Sequence, residues 1–173
     1  MFRKSVLFAG SLAICAGTFA VPAAAQPVGA TQNAKASVAL IYPLTVVKKT
    51  DMDFGYLSAT AAGTAVLEPN SNTLQTTGGV TAMGGLPTSA VFIGASRSSA
   101  VVNIKVPKQP ITLTRVGGTE TMRVDDWTLE GQDKRTLARM SSFEFRVGGT
   151  LYVNANQLEG FYTGTFDVTV QYP

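Results

Sequence analysis

Carboxylates are the side chains of this 173-residue chain with the clearest capacity for acid–base chemistry. The chain has no histidine, and its one cysteine is Cys15. Serine and cysteine triads, histidine-bearing zinc sites and thiol catalysis each lack a necessary member. Three carboxylate pairs could act as general acid and base: Asp51 with Asp53, Asp125 with Asp126, and Glu144 with Glu159. No pair forms a convincing constellation, so we expect no catalytic residue, no metal site and no cofactor.

Two of these acidic motifs could instead bind a ligand. Asp51 and Asp53 would face one side of a strand, where their oxygens could bind calcium; the alternative is a solvated strand edge before a glycine turn. Asp125 and Asp126 precede Trp127, the only tryptophan. This trio could bind the face of a sugar, with the ring stacking on it, or Trp127 could anchor a strand to the core.

The first 25 residues have the pattern of a secretory signal peptide. Arg3 and Lys4 precede an uncharged apolar run over residues 6–21, and Ala23-Ala24-Ala25 follows it. A basic start, an apolar run and small residues at the end predict cleavage before Gln26. The alternative is an uncleaved anchor, for which the run is short. No second run of this kind follows, so we expect no membrane span after cleavage.

The charge balance argues against nucleic-acid binding. The formal net charge is +3, and Arg3 and Lys4 in the predicted leader account for two of these charges. The exported part would therefore be close to neutral. A nucleic-acid-binding domain needs a basic patch, which this composition does not supply.

Short β-branched runs predict an all-β fold after the leader. The runs cover residues 38–41, 44–47, 101–106 and 111–114, and glycine pairs at 78–79, 84–85, 117–118 and 148–149 stand where strands would turn. Many short strands separated by turns indicate a sandwich or a barrel. Only residues 131–142 look locally helical or loop-like. We divide the chain into a signal peptide (1–25), an N-terminal extension (26–41) and a β-sandwich domain (42–173).

The last residues alternate strictly between apolar and polar types. Every second residue from Gly160 is glycine or apolar, and the intervening residues from Thr163 onward are polar. The apolar members are Tyr162, Phe166, Val168, Val170 and Tyr172. This period of two predicts one long strand with a face on the core and a face in water.

This assembly of features resembles the subunits of chaperone–usher pili. Tyr172 is the penultimate residue and Gly160 the fourteenth from the end, the spacing of the pilin segment that the periplasmic chaperone binds. The amino-acid sequence also resembles a secreted pilin-like family of Gram-negative bacteria, domain of unknown function 4402, at residues 43–46, 51–55, 147–151 and 160–170. The resemblance implies an immunoglobulin-like Greek-key β-sandwich that is incomplete and is completed by a donor strand. It also implies that Gly160, Phe166, Val168, Val170 and Tyr172 form a chaperone zipper.

The N-terminal extension has the features of a donor strand. Residues 26–35 are small and polar, and Ala34, Ala36, Val38 and Leu40 then present apolar side chains at every second position. An added strand gains affinity from main-chain hydrogen bonds and specificity from alternate side chains. The same residues could equally be the domain's own first strand.

Two functions follow as hypotheses. The first is a structural subunit of a fimbria, exported through the periplasm to the cell surface by a chaperone and an outer-membrane usher, joined to copies of itself or related subunits, and contributing to adhesion. The second is a self-contained secreted sandwich that binds a ligand such as a glycan through Asp125, Asp126 and Trp127. Neither hypothesis makes the protein an enzyme.

Overall fold

The computed structural model describes residues 35–38, 40 and 43–173. The predicted leader and Ala34 lie outside the described residues. Residues 43–173 belong to one compact unit, and residues 35–38 are not part of it. The described residues contain eleven strands and no helix: β1 Thr45–Thr50, β2 Tyr56–Leu67, β3 Leu74–Gly84, β4 Ala90–Ser96, β5 Ala100–Lys105, β6 Ile111–Arg115, β7 Thr121–Leu129, β8 Lys134–Leu137, β9 Ser141–Val153, β10 Tyr162–Thr163 and β11 Thr169–Gln171. The all-β prediction is confirmed.

Every strand pair among the described residues is antiparallel. Only the β2–β3 and β6–β7 pairs join strands that are consecutive in the chain, and the other pairs bring together strands that are distant in sequence. The larger sheet has the order β1-β4-β9-β7-β6-β10, and the β2–β3 hairpin joins it because β2 also pairs with β9. The smaller sheet has the order β11-β5-β8. The sheets curl around two apolar clusters, an arrangement compatible with the predicted β-sandwich. Completion by a donor strand stays a prediction.

The first cluster draws its buried side chains from β2, β3, β7 and β9. They are Ala65, Val80, Val124, Leu151 and Val153. The β2–β3 hairpin has a bulge at its middle, where the pairing shifts between Ala59 and Gly63. A Cβ at Gly79 would lie 2.4 Å from the backbone nitrogen of Ala61, so the two strands approach closely only because glycine stands there.

The second cluster is built around a row of phenylalanines. Its buried members are Ala90, Ile104, Phe145 and Val147. Phe92 and Phe143 stack on Phe145 with ring centroids 5.3 and 5.8 Å away. Gly94 pairs with Phe143 across β4 and β9, and a Cβ on Gly94 would lie 2.3 Å from that ring. The aromatic side chain therefore occupies the space that the missing side chain leaves.

Several local predictions are wrong. Gly148 and Gly149 lie inside β9 instead of at a turn, and a Cβ at Gly148 would meet the carbonyl oxygen of Leu67 at 2.2 Å. Residues 131–142 contain β8 and the start of β9 instead of a helix or a plain loop. Val38 and Leu40 belong to no strand. The turn at Gly117 is correct: this residue has a φ of +77° between β6 and β7.

A salt bridge closes the β6–β7 hairpin and makes its stability pH-dependent. Arg115 Nε donates to Glu120 Oε2 at 2.6 Å, and this hydrogen bond lowers the pKa of Glu120. A carboxyl group whose pKa is lower in the folded state contributes stability above its unfolded pKa and loses it as pH falls through the folded pKa. We expect Glu120→Gln to lower the free energy of unfolding slightly near pH 7 and not near pH 2, as measured by urea denaturation. Glu159→Gln, at an exposed site, is the control; an equal effect of Glu120→Gln at both pH values would contradict the assignment.

Candidate strand-accepting site

The C-terminal segment crosses from one sheet to the other. Tyr162–Thr163 form β10 beside β6, and Thr169–Gln171 form β11 beside β5. Residues 164–168 belong to neither ladder. The prediction of one continuous strand is therefore wrong, because the two ends of the segment find hydrogen-bond partners in different sheets.

The alternation of faces within this segment follows the sequence pattern. Phe166, Val168 and Val170 are half-buried and pack against the second cluster. The Phe166 ring centroid lies 4.6 Å from that of Trp127 and 6.3 Å from that of Phe92. The residues between them are exposed: Thr165, Asp167, Thr169 and Gln171. One face of the segment is thus apolar and directed inward, whereas the other is polar.

The backbone of residues 164–171, which we call the accepting edge, has unused pairing capacity. Among the described strands, β11 is the last strand of the smaller sheet and pairs only with β5. Gly164 lies close to Thr112 and Leu113 of β6, and residues 165–168 pair with no strand of the described chain. Unpaired N–H and C=O groups on a free edge can form a ladder with another strand.

A second free edge borders the same apolar cluster. Within the described part of the chain, β1 is the last strand of the larger sheet and pairs only with β4, while Val46 of β1 packs against the second cluster. Lys48 and Lys49 of β1 are exposed, and charged residues of this kind discourage pairing at an edge. The accepting edge carries a single charge, at Asp167, and is the less protected of the two.

The remaining members of the predicted chaperone zipper lie apart from each other. Gly160 is exposed at a φ of +146° beside β6, and a Cβ there would lie 2.9 Å from Cδ of Arg115. Tyr172 is half-buried and follows β11 directly. Gly160 and Tyr172 therefore flank two different ladders, and the zipper role of the five residues stays a prediction.

The predicted donor residues lie only partly within the described chain. Ala36, Val38 and Leu40 are exposed, and the last two have exposed fractions of 86% and 93%. The first strand of the domain begins at Thr45, beyond all of them. Large apolar side chains this exposed leave apolar area that burial could remove from water. Their donor role stays a prediction.

The Asp125-Asp126-Trp127 motif forms a β-bulge. The pairing of β7 with β9 shifts between Asp125 and Thr128, and Asp126 has a φ of +47°. Bulges re-aim side chains, and here Trp127 is half-buried against both apolar clusters. Its Nε1 donates to the carbonyl of Gln109 at 3.3 Å. Trp127 thus packs as a core anchor would, and the ligand-contact role of Asp125, Asp126 and Trp127 stays a prediction.

The polar side chains next to the bulge bind one another. Tyr152 Oη donates to Asp126 Oδ2, and this hydrogen bond, with some help from burial, raises the pKa of Tyr152. The Arg123 guanidinium lies over the Tyr152 ring, 4.1 Å from its centroid. Arg123 also faces Asp125 at 3.9 Å. The cluster ties β7 to β9 on the exposed side of the sheet.

The other carboxylates have separate partners instead of pairing with one another. Lys48 Nζ donates to Asp51 at 2.5 Å, and the Gly55 amide donates to Asp53 at 2.8 Å. Lys49 Nζ donates to Glu144 at 2.8 Å and lowers the pKa of that carboxyl group. Among the described residues, no group of three or more acidic or cysteine side chains could hold a metal ion.

Sequence reasoning missed the side chains beneath the accepting edge. Phe92 and Phe143 lie on β4 and β9, far along the chain from Phe166. One available signal was Gly94 within an otherwise apolar strand, since an isolated strand glycine often marks a close approach by another group. Nothing local in the sequence identified Phe143 as that group.

These features define, for the described residues, an antiparallel β domain of the sandwich type with a free edge lined by half-buried apolar side chains. Residues 44–172 match the model of a family described as a domain of unknown function (DUF4402), and the chain belongs to that family. No curated protein and no solved structure matches the chain. The described part of the chain holds no helix with the length and hydropathy of a membrane span.

Proposed function

We propose that this protein is a structural subunit of a surface fibre whose domain is completed by a strand from a neighbouring subunit. The observation that carries the proposal is the accepting edge. Its backbone pairs with no second strand of the described chain, while Phe166, Val168 and Val170 pack against the second cluster with side chains that are themselves only half-buried. An added strand would pair with the backbone and would shield this cluster from water.

The N-terminal extension of another copy is the proposed donor. Residues 26–41 precede the first strand, and the apolar side chains from Ala34 to Leu40 recur with the period of two that an inserted strand requires. Sixteen extended residues reach about 50 Å, and the eight residues of the accepting edge span about 26 Å. The extension is therefore long enough to leave its own domain and enter the next one.

The main-chain ladder would supply much of the stability of such a joint. Burying a valine or leucine side chain fully contributes about 1.5–3 kcal/mol, and an alanine contributes much less. Val38 and Leu40 would thus contribute only a few kcal/mol, while each backbone hydrogen bond contributes about 0.5–1.5 kcal/mol. A proline in the donor should therefore weaken the joint through the ladder as well as through packing.

The same edge would be covered by a periplasmic chaperone before assembly. An uncovered apolar edge is an aggregation hazard, so a temporary partner is needed until a donor arrives. An outer-membrane usher would then join the subunits, and the fibre would present them at the cell surface for adhesion. This function needs no catalytic residue and no cofactor.

A peptide with the sequence of residues 26–41 should bind the protein and block its assembly. The only tryptophan, Trp127, contacts Phe166 of the accepting edge, and the peptide contains no tryptophan. Occupation of the edge should therefore change the fluorescence of Trp127 in a saturable way. The same titration should stop growth of polymers, as followed by size-exclusion chromatography.

Matched peptides test the register of this binding. A peptide with Val38→Pro removes a ladder donor and an inward side chain, so we expect neither a fluorescence change nor an effect on assembly. A peptide with Ala39→Ser changes a residue that would face away, and it should act like the unmodified peptide. If all three peptides act alike, or none binds, strand donation by this segment is wrong.

A further inference from the structure

The proposed donor and the accepting edge carry one charge each, and the two charges are opposite. Residues 26–41 include one charged residue, Lys35, and the accepting edge includes one, Asp167. Both side chains are exposed. Opposite charges on neighbouring strands stabilise their pairing, whereas like charges oppose it. The two charges therefore offer a polar contact in addition to the ladder and the apolar side chains.

The carboxylate of Asp167 has no cationic partner within the described chain. None of the ion pairs among the described residues includes it. Lys105 of β5 lies opposite Thr169, two residues further along the segment, and does not form an ion pair with Asp167. A lysine on an added strand would thus find a carboxylate that no other side chain of the described residues has paired.

The other free edge beside the second cluster offers no such carboxylate. Lys48 and Lys49 lie on β1, and their ammonium groups already bind Asp51 and Glu144. A third lysine at this edge would meet two cations and two acidic groups that are already paired, and like charges on neighbouring strands repel. The single charge of the donor therefore favours the accepting edge over β1.

The two charges also belong to matching faces. The inward side chains of the accepting edge and the apolar side chains of the donor both occupy even-numbered positions, so Lys35 and Asp167 both take outward positions. Residues opposite each other on paired strands direct their side chains to the same face of the sheet. Lys35 and Asp167 therefore share a face in every register that keeps the apolar side chains of both strands inward.

Only some of these registers bring the two charges together. An antiparallel donor can cover the accepting edge with residues 33–40, which places Lys35 opposite Thr169. Asp167 is then a diagonal neighbour of Lys35, within reach of a long side chain. A shift of two residues one way places Lys35 directly opposite Asp167, and a shift the other way places it opposite Gln171, out of reach. The charges thus distinguish between registers that the apolar pattern alone leaves equal.

We propose that Lys35 of the donor forms an ion pair with Asp167 of the accepting subunit, and that this pair selects the edge and the register of the inserted strand. The inference rests on the proposed function, because residues 26–41 must enter this edge for the pair to form. An exposed ion pair contributes modestly to affinity. Its main effect is to disfavour the edges and registers that separate the two charges or bring like charges together.

Charge reversal in both partners tests the ion pair. The peptide of residues 26–41, with and without Lys35→Glu, is added during refolding to the full-length protein with and without Asp167→Lys. Both proteins carry Val38→Pro, so that their own extensions do not compete. The readout is the peptide concentration that gives half of the fluorescence change of Trp127. Each reversal alone should raise this concentration about tenfold, the two together should restore it to within about twofold, and about 1 M salt should reduce the differences.

Glu159→Lys is the matched control, because it changes the net charge equally at an exposed site outside the edge. It should leave the binding of both peptides unchanged. If the native peptide binds equally well with and without Asp167→Lys, or if the double reversal restores nothing, the ion pair is wrong and strand donation stands. If no peptide binds to any of the proteins, donation itself is wrong and the ion pair is refuted with it.

Mixed assembly of full-length chains gives a second measurement. Chains with Lys35→Glu alone, or with Asp167→Lys alone, bring like charges together when they join their own copies. In an equimolar mixture, each donor meets an opposite charge on the other variant. The mixture should therefore form longer polymers than either variant alone in size-exclusion chromatography, and a chain with both substitutions should assemble by itself. Equal polymer lengths for the mixture and the separate variants would overturn the proposal.

Discussion

Removal of residues 26–41 should give a subunit that aggregates or disappears unless a periplasmic chaperone is present. The truncated subunit would keep the accepting edge and its half-buried apolar side chains, but no copy would carry a donor strand. Its exposed edge and apolar side chains would then find other chains. The measurement is the yield of folded protein in periplasmic extracts, with and without a co-expressed chaperone, by size-exclusion chromatography.

A self-complemented form is the matched control. The same segment is fused after Pro173 through a flexible linker, close to the end of β11. A short linker can turn the segment back along β11, as in a hairpin. The fused protein should be a soluble monomer without chaperone, and a fused copy with Val38→Pro should not. A truncated protein that is a stable monomer and still assembles would refute donation by this segment, and the ligand-binding sandwich would become the better interpretation.

Replacement of Val168 by aspartate should have the second-largest effect. Val168 packs against the second cluster, and full burial of a valine contributes about 1.5–3 kcal/mol. Aspartate would lose the part of this contribution that the half-buried Val168 makes and would bring an unpaired charge to an apolar site, so several kcal/mol of folding or assembly free energy should be lost. Urea denaturation of the purified subunit and export yield together measure the loss.

Thr169→Asp is the control for this substitution. Thr169 is exposed and lies opposite Lys105 of β5, so an aspartate there meets water and a nearby cation. We expect a change within about 0.5 kcal/mol, as for most surface substitutions. Equal losses for Val168→Asp and Thr169→Asp would show that the two faces of the segment have been assigned wrongly.

The sequence by itself determined the class of fold and the faces of the last segment. Strand periodicity is a local property, because neighbouring side chains on an extended backbone point to opposite sides wherever the strand pairs. Phe166, Val168 and Val170 therefore turn inward as the pattern predicts, even though residues 164–168 belong to no ladder. The glycine turn between β6 and β7 was equally local, since a positive φ at Gly117 needs no distant partner.

Only the tertiary structure decided which elements meet. The C-terminal segment divides between two sheets because β6 and β5, distant in the chain, supply its hydrogen bonds. Gly148 looks like a turn residue, yet it lies inside β9. Glycine is needed there because the carbonyl of Leu67 comes too close for a side chain. The bulge at Asp126 packs Trp127 against Phe166, a residue distant in the chain that nothing next to Trp127 indicates. Strand pairing and close approach depend on residues far away in the sequence, and no local pattern contains that information.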